Sequence, residues 1–159
     1  MLKGDVTLVK KFSILISILL GFNIIISIVA LLFYEFSTTV NVIVDYSMIP
    51  LFLLLSLILA KYITENFNSP ALPLLIILFF LVILRAGEVI FKTSVLEIVF
   101  FILGGVSFFF PQVVLNEILS VGDDFLYIWS IFAFPAMQII GIAFFCFVFS
   151  KINAKKNSR

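Results

Sequence analysis

Three charged side chains stand close together in the middle of this sequence, and their types and spacing could do chemistry. Arg85, Glu88 and Lys92 lie within eight residues, directly after the uncharged run 66–84. On a helix, the first two are spaced i,i+3 and the last two i,i+4, so all three lie along one face and can form ion pairs. Glu97 follows five residues after Lys92. This charged cluster is the candidate functional site of the chain.

Three interpretations of the cluster stay open at this point. The nineteen uncharged residues before Arg85 would cover about 28 Å as a helix, close to the roughly 30 Å of a hydrocarbon core. Arg85 is then expected at the membrane interface, where its charge is paired. If the helix begins late, after Pro73, Arg85 and Glu88 are drawn into the bundle, where ionisable groups usually mark an ion or substrate path. Binding of a lipid headgroup is the third interpretation.

The elements that position these residues are membrane helices. Of the 159 residues, 64% are hydrophobic and 12% are charged, against about 25% charged in an ordinary soluble domain. The charges leave five long apolar runs: 12–34, 46–60, 66–84, 98–116 and 125–150. Because about 20 helical residues cross a bilayer, the sequence predicts one domain over 1–159. Its fold class is all-α, a polytopic integral membrane bundle with five membrane-embedded helices.

Basic residues predict how the chain is threaded, because Lys and Arg near the ends of spans prefer the cytoplasm. Lys3, Lys10 and Lys11 precede the first run, and the tail 151–159 holds four more basic residues. Both ends are therefore expected in the cytoplasm, in a multi-pass protein of the cell membrane. That arrangement needs an even number of crossings, whereas five runs give an odd number. Five crossings leave a weak charge bias, and four give a strong one.

Either of two runs could enter the membrane without crossing it. Run 46–60 has only 15 residues and contains Pro50. If this run does not cross, Lys61 is the one basic residue left outside. Run 98–116 is long enough, but a Gly-Gly pair at 104–105 and a later proline interrupt it. We expect run 98–116 to be the irregular element, because a broken helix is tolerated where protein buries it.

Polar and small residues inside the runs predict contacts between helices. Asn23 and Gln138 stand near the middle of the first and last runs, and at matched depth they predict a cross-helix hydrogen bond of about 0.6–2 kcal/mol. Ser13, Ser17 and Gly21 follow at i,i+4 spacing, which lets helix backbones approach closely. These three residues indicate either packing of the first helix on the last or a seam with a membrane-protein partner or a second copy.

The residue types that are absent exclude several function classes. The sequence has no histidine and one cysteine, Cys146, so histidine-ligated haem, the common zinc sites, histidine-based catalysis and internal disulfides are excluded. No metal, no cofactor and no catalytic constellation is expected, and the chain is not predicted to be an enzyme. A net charge of +1 offers nothing to nucleic acid. The lipid bilayer is the expected surrounding of the chain.

Part of the chain resembles the phosphate-starvation-inducible PsiE family of small bacterial and archaeal membrane proteins. The resemblance covers roughly residues 50–105 and rests on the stretches AKYITENFNSPALPLL and ILRAGEVIFKTSVLEIVFFIL. Within them the matching positions are Lys61-Tyr62, Pro70, Arg85 and Lys92-Thr93-Ser94. The resemblance implies four helices over 12–116, and the chain departs from the family in its additional run 125–150. It therefore bears on topology more than on activity.

Two functions are compatible with these observations. The first is that of an accessory, interaction or stress-related membrane protein without chemistry of its own. The second is that of a small transporter or channel whose charged path runs through Arg85, Glu88, Lys92 and Glu97.

Overall fold

Helices make up most of the part of the chain that the structure describes. The computed structural model describes residues 3–34, 38–92, 94–119 and 123–157, with side chains over 7–33, 43–44, 46–92, 94–112, 114 and 129–154. These residues form six helices and no strand: α1 (Lys3–Tyr34), α2 (Thr38–Asn66), α3 (Ala71–Ile90), α4 (Val95–Gly104), α5 (Val106–Leu119) and α6 (Asp123–Asn157). The predicted all-α class is confirmed.

Four of the helices are long and apolar enough to span a membrane. The candidate spans are Thr7–Phe33, Tyr46–Asn66, Ala71–Ile90 and Trp129–Ala154. Together α4 and α5 pass the same test but are bent by 91°, so the number is five if the bent pair counts as one span. The short run 46–60 belongs to a continuous 21-residue candidate span, because α2 continues past Lys61 to Asn66.

The helix α3 does not coincide with the uncharged run 66–84, because it begins and ends later in the sequence. Asn66 is still part of α2, the four residues 67–70 form the connection between α2 and α3, and α3 begins at Ala71. Pro70 precedes the helix and Pro73 lies in its first turn, where a proline is tolerated because the first amides have no intrahelical acceptor. The helix therefore ends later than the run does, at Ile90. Arg85 lies inside α3, about 7.5 Å along the axis from that end.

The expected irregular element is confirmed in run 98–116, where the chain turns between α4 and α5. Gly105 has φ +43°, ψ −130°, a backbone conformation that residues other than glycine rarely adopt. A Cβ atom on Gly105 would also lie 2.6 Å from the carbonyl oxygen of Asn23. The turn therefore needs glycine both for its backbone angles and for close packing on α1. Pro111 lies inside α5 and is not the break.

Contacts between α1, α2 and α6 fix one end of the bundle. The Lys11 ammonium donates to the Asn66 carbonyl (2.7 Å), so α1 begins where α2 ends. The Cys146 sulfur lies 3.9 Å from the Ala60 carbonyl oxygen, so the last part of α6 reaches the same end. We call this the basic end; its described lysines are Lys10, Lys11, Lys61 and Lys151.

The other end of the bundle is where α3 finishes and α4 starts. Ser130, near the start of α6, bonds Arg85 near the end of α3, so α6 begins there too. The helices α1, α2, α3 and α6 therefore run alternately between the two ends. The bent pair α4–α5 must start and finish at the opposite end, because the chain leaves α3 and enters α6 there. A helix pair bent in this way is either a broken span or a re-entrant loop.

Buried residues recur every four positions on the long helices, as expected for one inward face of a helix. On α1 the buried series is Leu15, Leu19, Asn23 and Ser27; on α6 it is Ser130, Phe134, Gln138, Ile142 and Cys146. Both series mix apolar and polar residues. The interior of the bundle therefore holds polar groups that must find partners among the helices.

We expect Gly105→Ala to destabilise the protein by about 2 kcal/mol or more, since a strained backbone costs about 1–3 kcal/mol and the new Cβ meets the backbone of Asn23. The measurement is the free energy of unfolding by SDS titration in detergent micelles. The control is Gly21→Ala, whose Cβ would meet nothing within 4 Å. The free energy of unfolding of this control should rise by about 0.5–1 kcal/mol, because alanine has a higher helix propensity than glycine. Equal stability of Gly105→Ala and the wild type would contradict the bend.

Candidate functional site: a buried ion pair among three helices

The inward face of α3 carries two charged residues into the bundle. Ile77, Leu81 and Arg85 are spaced i,i+4 and all buried, and Glu88 follows one turn later. Arg85 is 3% exposed and Glu88 is 5% exposed. Both side chains therefore point into the bundle, and the position of Arg85 relative to a membrane interface stays a prediction. The cause of their burial is the late start of α3, which places both positions within the packed part of the helix.

Arg85 and Glu88 neutralise each other. Nη1 of Arg85 forms a salt bridge with Oε1 of Glu88 across one helical turn. Removing two charges from water costs several kcal/mol per ion even after relaxation, so neither side chain would be buried here without the other. The pair is thus a single neutral unit in the interior of the bundle.

The rest of the guanidinium group is held by α5 and α6. Nε of Arg85 donates a hydrogen bond to Oγ of Ser130 (2.9 Å). Its Cζ atom lies 4.6 Å from the ring centroid of Phe134 on α6 and 5.6 Å from that of Phe108 on α5. Aromatic faces attract a cation, and more strongly when water is excluded. Arg85 therefore joins three helices at one point.

The two carboxylate oxygens of Glu88 differ in their contacts, and only Oε1 is in the salt bridge with Nη1 of Arg85. Its Oε2 atom is buried and has no hydrogen-bond partner within the described part of the chain. A buried carboxylate oxygen without a donor can accept a proton, a water molecule or a cation. Gly87 lies beside it, and a Cβ there would come within 2.6 Å of the Phe100 ring. The phenyl ring of α4 therefore packs directly against the backbone of α3 next to the carboxylate.

The other two residues of the predicted cluster lie further out. Glu97 is half-buried in the first turn of α4, close enough to Glu88 for their two negative charges to repel. Lys92 is exposed just beyond the end of α3. The structure thus brings Arg85, Glu88 and Glu97 together at the junction of α3 and α4, with Lys92 at the surface of the opposite end.

The predicted hydrogen bond between Asn23 and Gln138 is wrong, although both side chains are fully buried. Nδ2 of Asn23 donates to the Leu103 carbonyl (3.1 Å) and lies 3.5 Å from Oγ of Ser107. Nε2 of Gln138 instead donates to Oγ of Ser56 (3.0 Å). The physical reason is the bent pair: α1 packs on α2, α4 and α5, and the α4–α5 bend lies beside Asn23.

Asn23 supports the bend from α1, together with Ser27. A helix leaves its last carbonyls without intrahelical donors, and α4 stops in the interior of the bundle, where water cannot replace them. Asn23 donates to the Leu103 carbonyl, and Oγ of Ser27 donates to the Ile102 carbonyl (3.2 Å). The Gly105 amide donates to the Phe101 carbonyl (2.8 Å). Side chains of one helix therefore cap the end of another.

The small residues of α1 do not face α6. Ser13 and Ser17 are exposed, and a Cβ on Gly21 would meet nothing within 4 Å. They lie on the side of α1 away from its buried series, so packing of the first helix on the last is not their role in this chain. A seam with a membrane-protein partner or a second copy stays a prediction.

The chain matches no known family model, curated protein or solved structure. The resemblance to the PsiE family therefore stays a prediction. Among the described side chains, no group of three or more His, Cys, Asp or Glu residues is placed to hold a metal ion. The candidate site is a buried, neutral pair of charges with one carboxylate oxygen open to a proton or a small ligand.

We expect Asn23→Leu and Gln138→Leu to act independently, because the two side chains share no partner. The free energies of unfolding of the two single variants and the double variant, measured by SDS titration, form a double-mutant cycle. Their coupling energy should lie within about 0.5 kcal/mol of zero. A cycle of Asn23→Leu with Ser107→Ala is the control, and its coupling should be larger. A coupling of 1 kcal/mol or more between Asn23 and Gln138 would contradict the structure.

Proposed function

We propose that the chain is a multi-pass protein of the cell membrane whose two ends lie in the cytoplasm. Its four long apolar helices support the membrane assignment. The basic end supports the orientation, because the start of α1 and the last part of α6 lie there with Lys10, Lys11, Lys61 and Lys151. Lysines near span ends are retained on the cytoplasmic side. Among the described basic side chains, Arg85 and Lys92 lie away from that end, and Arg85 is neutralised by Glu88.

The orientation can be tested with single cysteines in a Cys146→Ala background. We expect Lys61→Cys to be protected from an impermeant maleimide in intact cells and labelled after permeabilisation. Lys92→Cys should be labelled in intact cells, because it lies at the opposite end of the bundle. Both positions are exposed in the structure, so each serves as the accessibility control of the other. Labelling of both from the same side would refute the arrangement.

We further propose that the protein passes or exchanges a small ion, with Arg85 and Glu88 as the site. The observation that carries this proposal is the buried Oε2 atom of Glu88, which has no hydrogen-bond partner among the described residues. It faces the interior of a bundle in which Oδ1 of Asn23 and Oε1 of Gln138 are likewise buried acceptors without donors. Acceptors in excess favour a proton or a small cation over an anion.

Two further features support an ion site over a purely structural pair. Ionisable residues inside membrane bundles usually mark ion or proton paths. Broken helices at membrane depth are tolerated where they are buried or line a cavity, and transporters build their sites from them. Here the bend at Gly105 leads directly to Phe108, which contacts Arg85. The broken element and the charged pair therefore form one unit.

The role of the pair can be separated from its contribution to stability. Replacing one member of a buried ion pair strands the other charge and costs about 3–5 kcal/mol, whereas replacing both by apolar residues is often neutral. We therefore expect the Arg85→Leu variant to have a free energy of unfolding about 3–5 kcal/mol below that of the wild type. The Arg85→Leu/Glu88→Leu variant should keep the wild-type value. In proteoliposomes the double variant should lose the proton or alkali-cation flux of the wild type, at least tenfold, measured with pH-sensitive and cation-sensitive dyes.

The matched control is Lys61→Leu/Glu65→Leu, which removes an opposite-charge pair at i,i+4 on the exposed surface of α2. It should keep both stability and flux. Wild-type flux in the Arg85→Leu/Glu88→Leu variant would refute the ion site. Proteoliposomes of the wild type with no flux above empty vesicles would also refute it, and would favour an accessory, interaction or stress-related role, for which the outward face of Ser13, Ser17 and Gly21 is the available surface.

A further inference from the structure

A cavity of about 420 Å³ lies at the basic end, between the end of α2, the start of α3 and the last part of α6. This volume falls in the range of small-molecule sites, about 300–1,000 Å³. Its position is far along the bundle from the Arg85–Glu88 site, because Cys146 lines it and Ser130, sixteen residues earlier on α6, contacts Arg85. The cavity is therefore separate from the proposed ion site.

The lining of the cavity is amphipathic. Ile63, Leu74 and Phe147 supply apolar surface, and Thr64, Asn68 and Ser150 supply hydroxyl and amide groups. The apolar members belong to stretches that are candidate membrane spans. A ligand that fills this cavity therefore needs a polar part and an apolar part joined together.

Two lysine side chains lie close to phenylalanine rings that line the cavity. The Lys11 ammonium lies 5.9 Å from the ring centroid of Phe67, and the Lys151 ammonium lies 5.4 Å from that of Phe147. Both rings line the cavity. Each lining ring therefore has a positive charge beside it, one from α1 and one from α6.

The wider charge of this end has the same sign. Lys10 and Lys61 are exposed there, and Glu65 is the one acid among the described side chains of this end. Glu65 is itself exposed, so water screens its charge. The local field therefore favours an anion.

We propose that the cavity binds an anionic phospholipid from the bilayer around the protein. Its phosphate group lies between Lys11 and Lys151, its headgroup hydroxyls face Thr64 and Ser150, and the upper part of an acyl chain packs on Leu74. The chemistry that selects this occupant is a phosphate anion joined to a hydrocarbon chain. The proposal requires that the protein lies in a bilayer and is independent of any ion flux.

The test is native mass spectrometry of the full-length protein in detergent, titrated with phosphatidylglycerol. We expect one phosphatidylglycerol to bind at least tenfold more tightly than phosphatidylcholine of the same chains. Lys11→Gln and Lys151→Gln should each weaken phosphatidylglycerol binding about fivefold, since a lysine near an anionic lipid contributes about 1 kcal/mol. Lys10→Gln and Lys61→Gln are the controls, because these exposed lysines do not stand on cavity rings; they should change binding less than twofold.

Lys11 also bonds the Asn66 carbonyl, so a folding defect of its variant is separated by a second measurement. Ala143→Phe fills the cavity without changing any charge and should abolish the selective binding. The thermal stability of the wild type should rise with phosphatidylglycerol and not with inorganic phosphate. Equal losses in all four lysine variants would indicate diffuse attraction and refute the site. An equal stabilisation by inorganic phosphate, or unchanged binding in Ala143→Phe, would refute a lipid occupant.

Discussion

A guanidinium group that leaves water needs a counter-charge, acceptors for its remaining donors and polarisable surface around its plane. Arg85 finds the first on its own helix, in Glu88, and the others on α5 and α6, in Phe108, Ser130 and Phe134. Because a buried charge without these partners costs several kcal/mol, the positions of the three helices are tied to one another. The packing of the end of the bundle where α3 finishes and α4 starts depends on this requirement.

The aromatic partner on α5 depends in turn on the bend. Phe108 follows Gly105 by three residues, and its amide bonds the Gly105 carbonyl (2.9 Å), so the turn fixes where the ring points. The turn itself depends on α1, whose Asn23 and Ser27 bond the last carbonyls of α4. A chain of contacts therefore connects polar residues in the middle of α1 to the guanidinium group on α3. The first steps are hydrogen bonds, and the last is the contact of the Phe108 ring with the guanidinium group.

Much of this fold could be predicted from the sequence, because apolar length is a strong signal for a membrane helix. The bend was predictable as well, since two adjacent glycines and a proline interrupt the run 98–116. Charge alone could not decide where α3 starts, because the connecting residues 67–70 are as uncharged as the helix that follows them. Pro73 had suggested the alternative of a late start, and Pro70 and Pro73 do stand at the first turn of α3, where prolines are tolerated.

Which side of each helix packs against the other helices could not be predicted. Lipid and protein interior are equally apolar, so no polar stripe marks the outward side. On α1, two series at i,i+4 spacing compete: Ser13, Ser17 and Gly21 face outward, and Asn23 and Ser27 face inward. Nothing in their types decides which is which. The partner of Asn23 was missed for the same reason, since a backbone carbonyl at a helix end leaves no trace in the residue types around it.

The two ends of the bundle place different demands on the same helices. At the opposite end, α3 and α6 hold a neutral pair whose charges cancel within the protein. At the basic end, the same two helices and the end of α2 line a cavity, and no acidic residue is among those that line it. The lipid phosphate that we propose for this cavity would supply the missing negative charge. On that proposal, one end of the bundle is neutral within the protein, and the other reaches neutrality through a bound lipid.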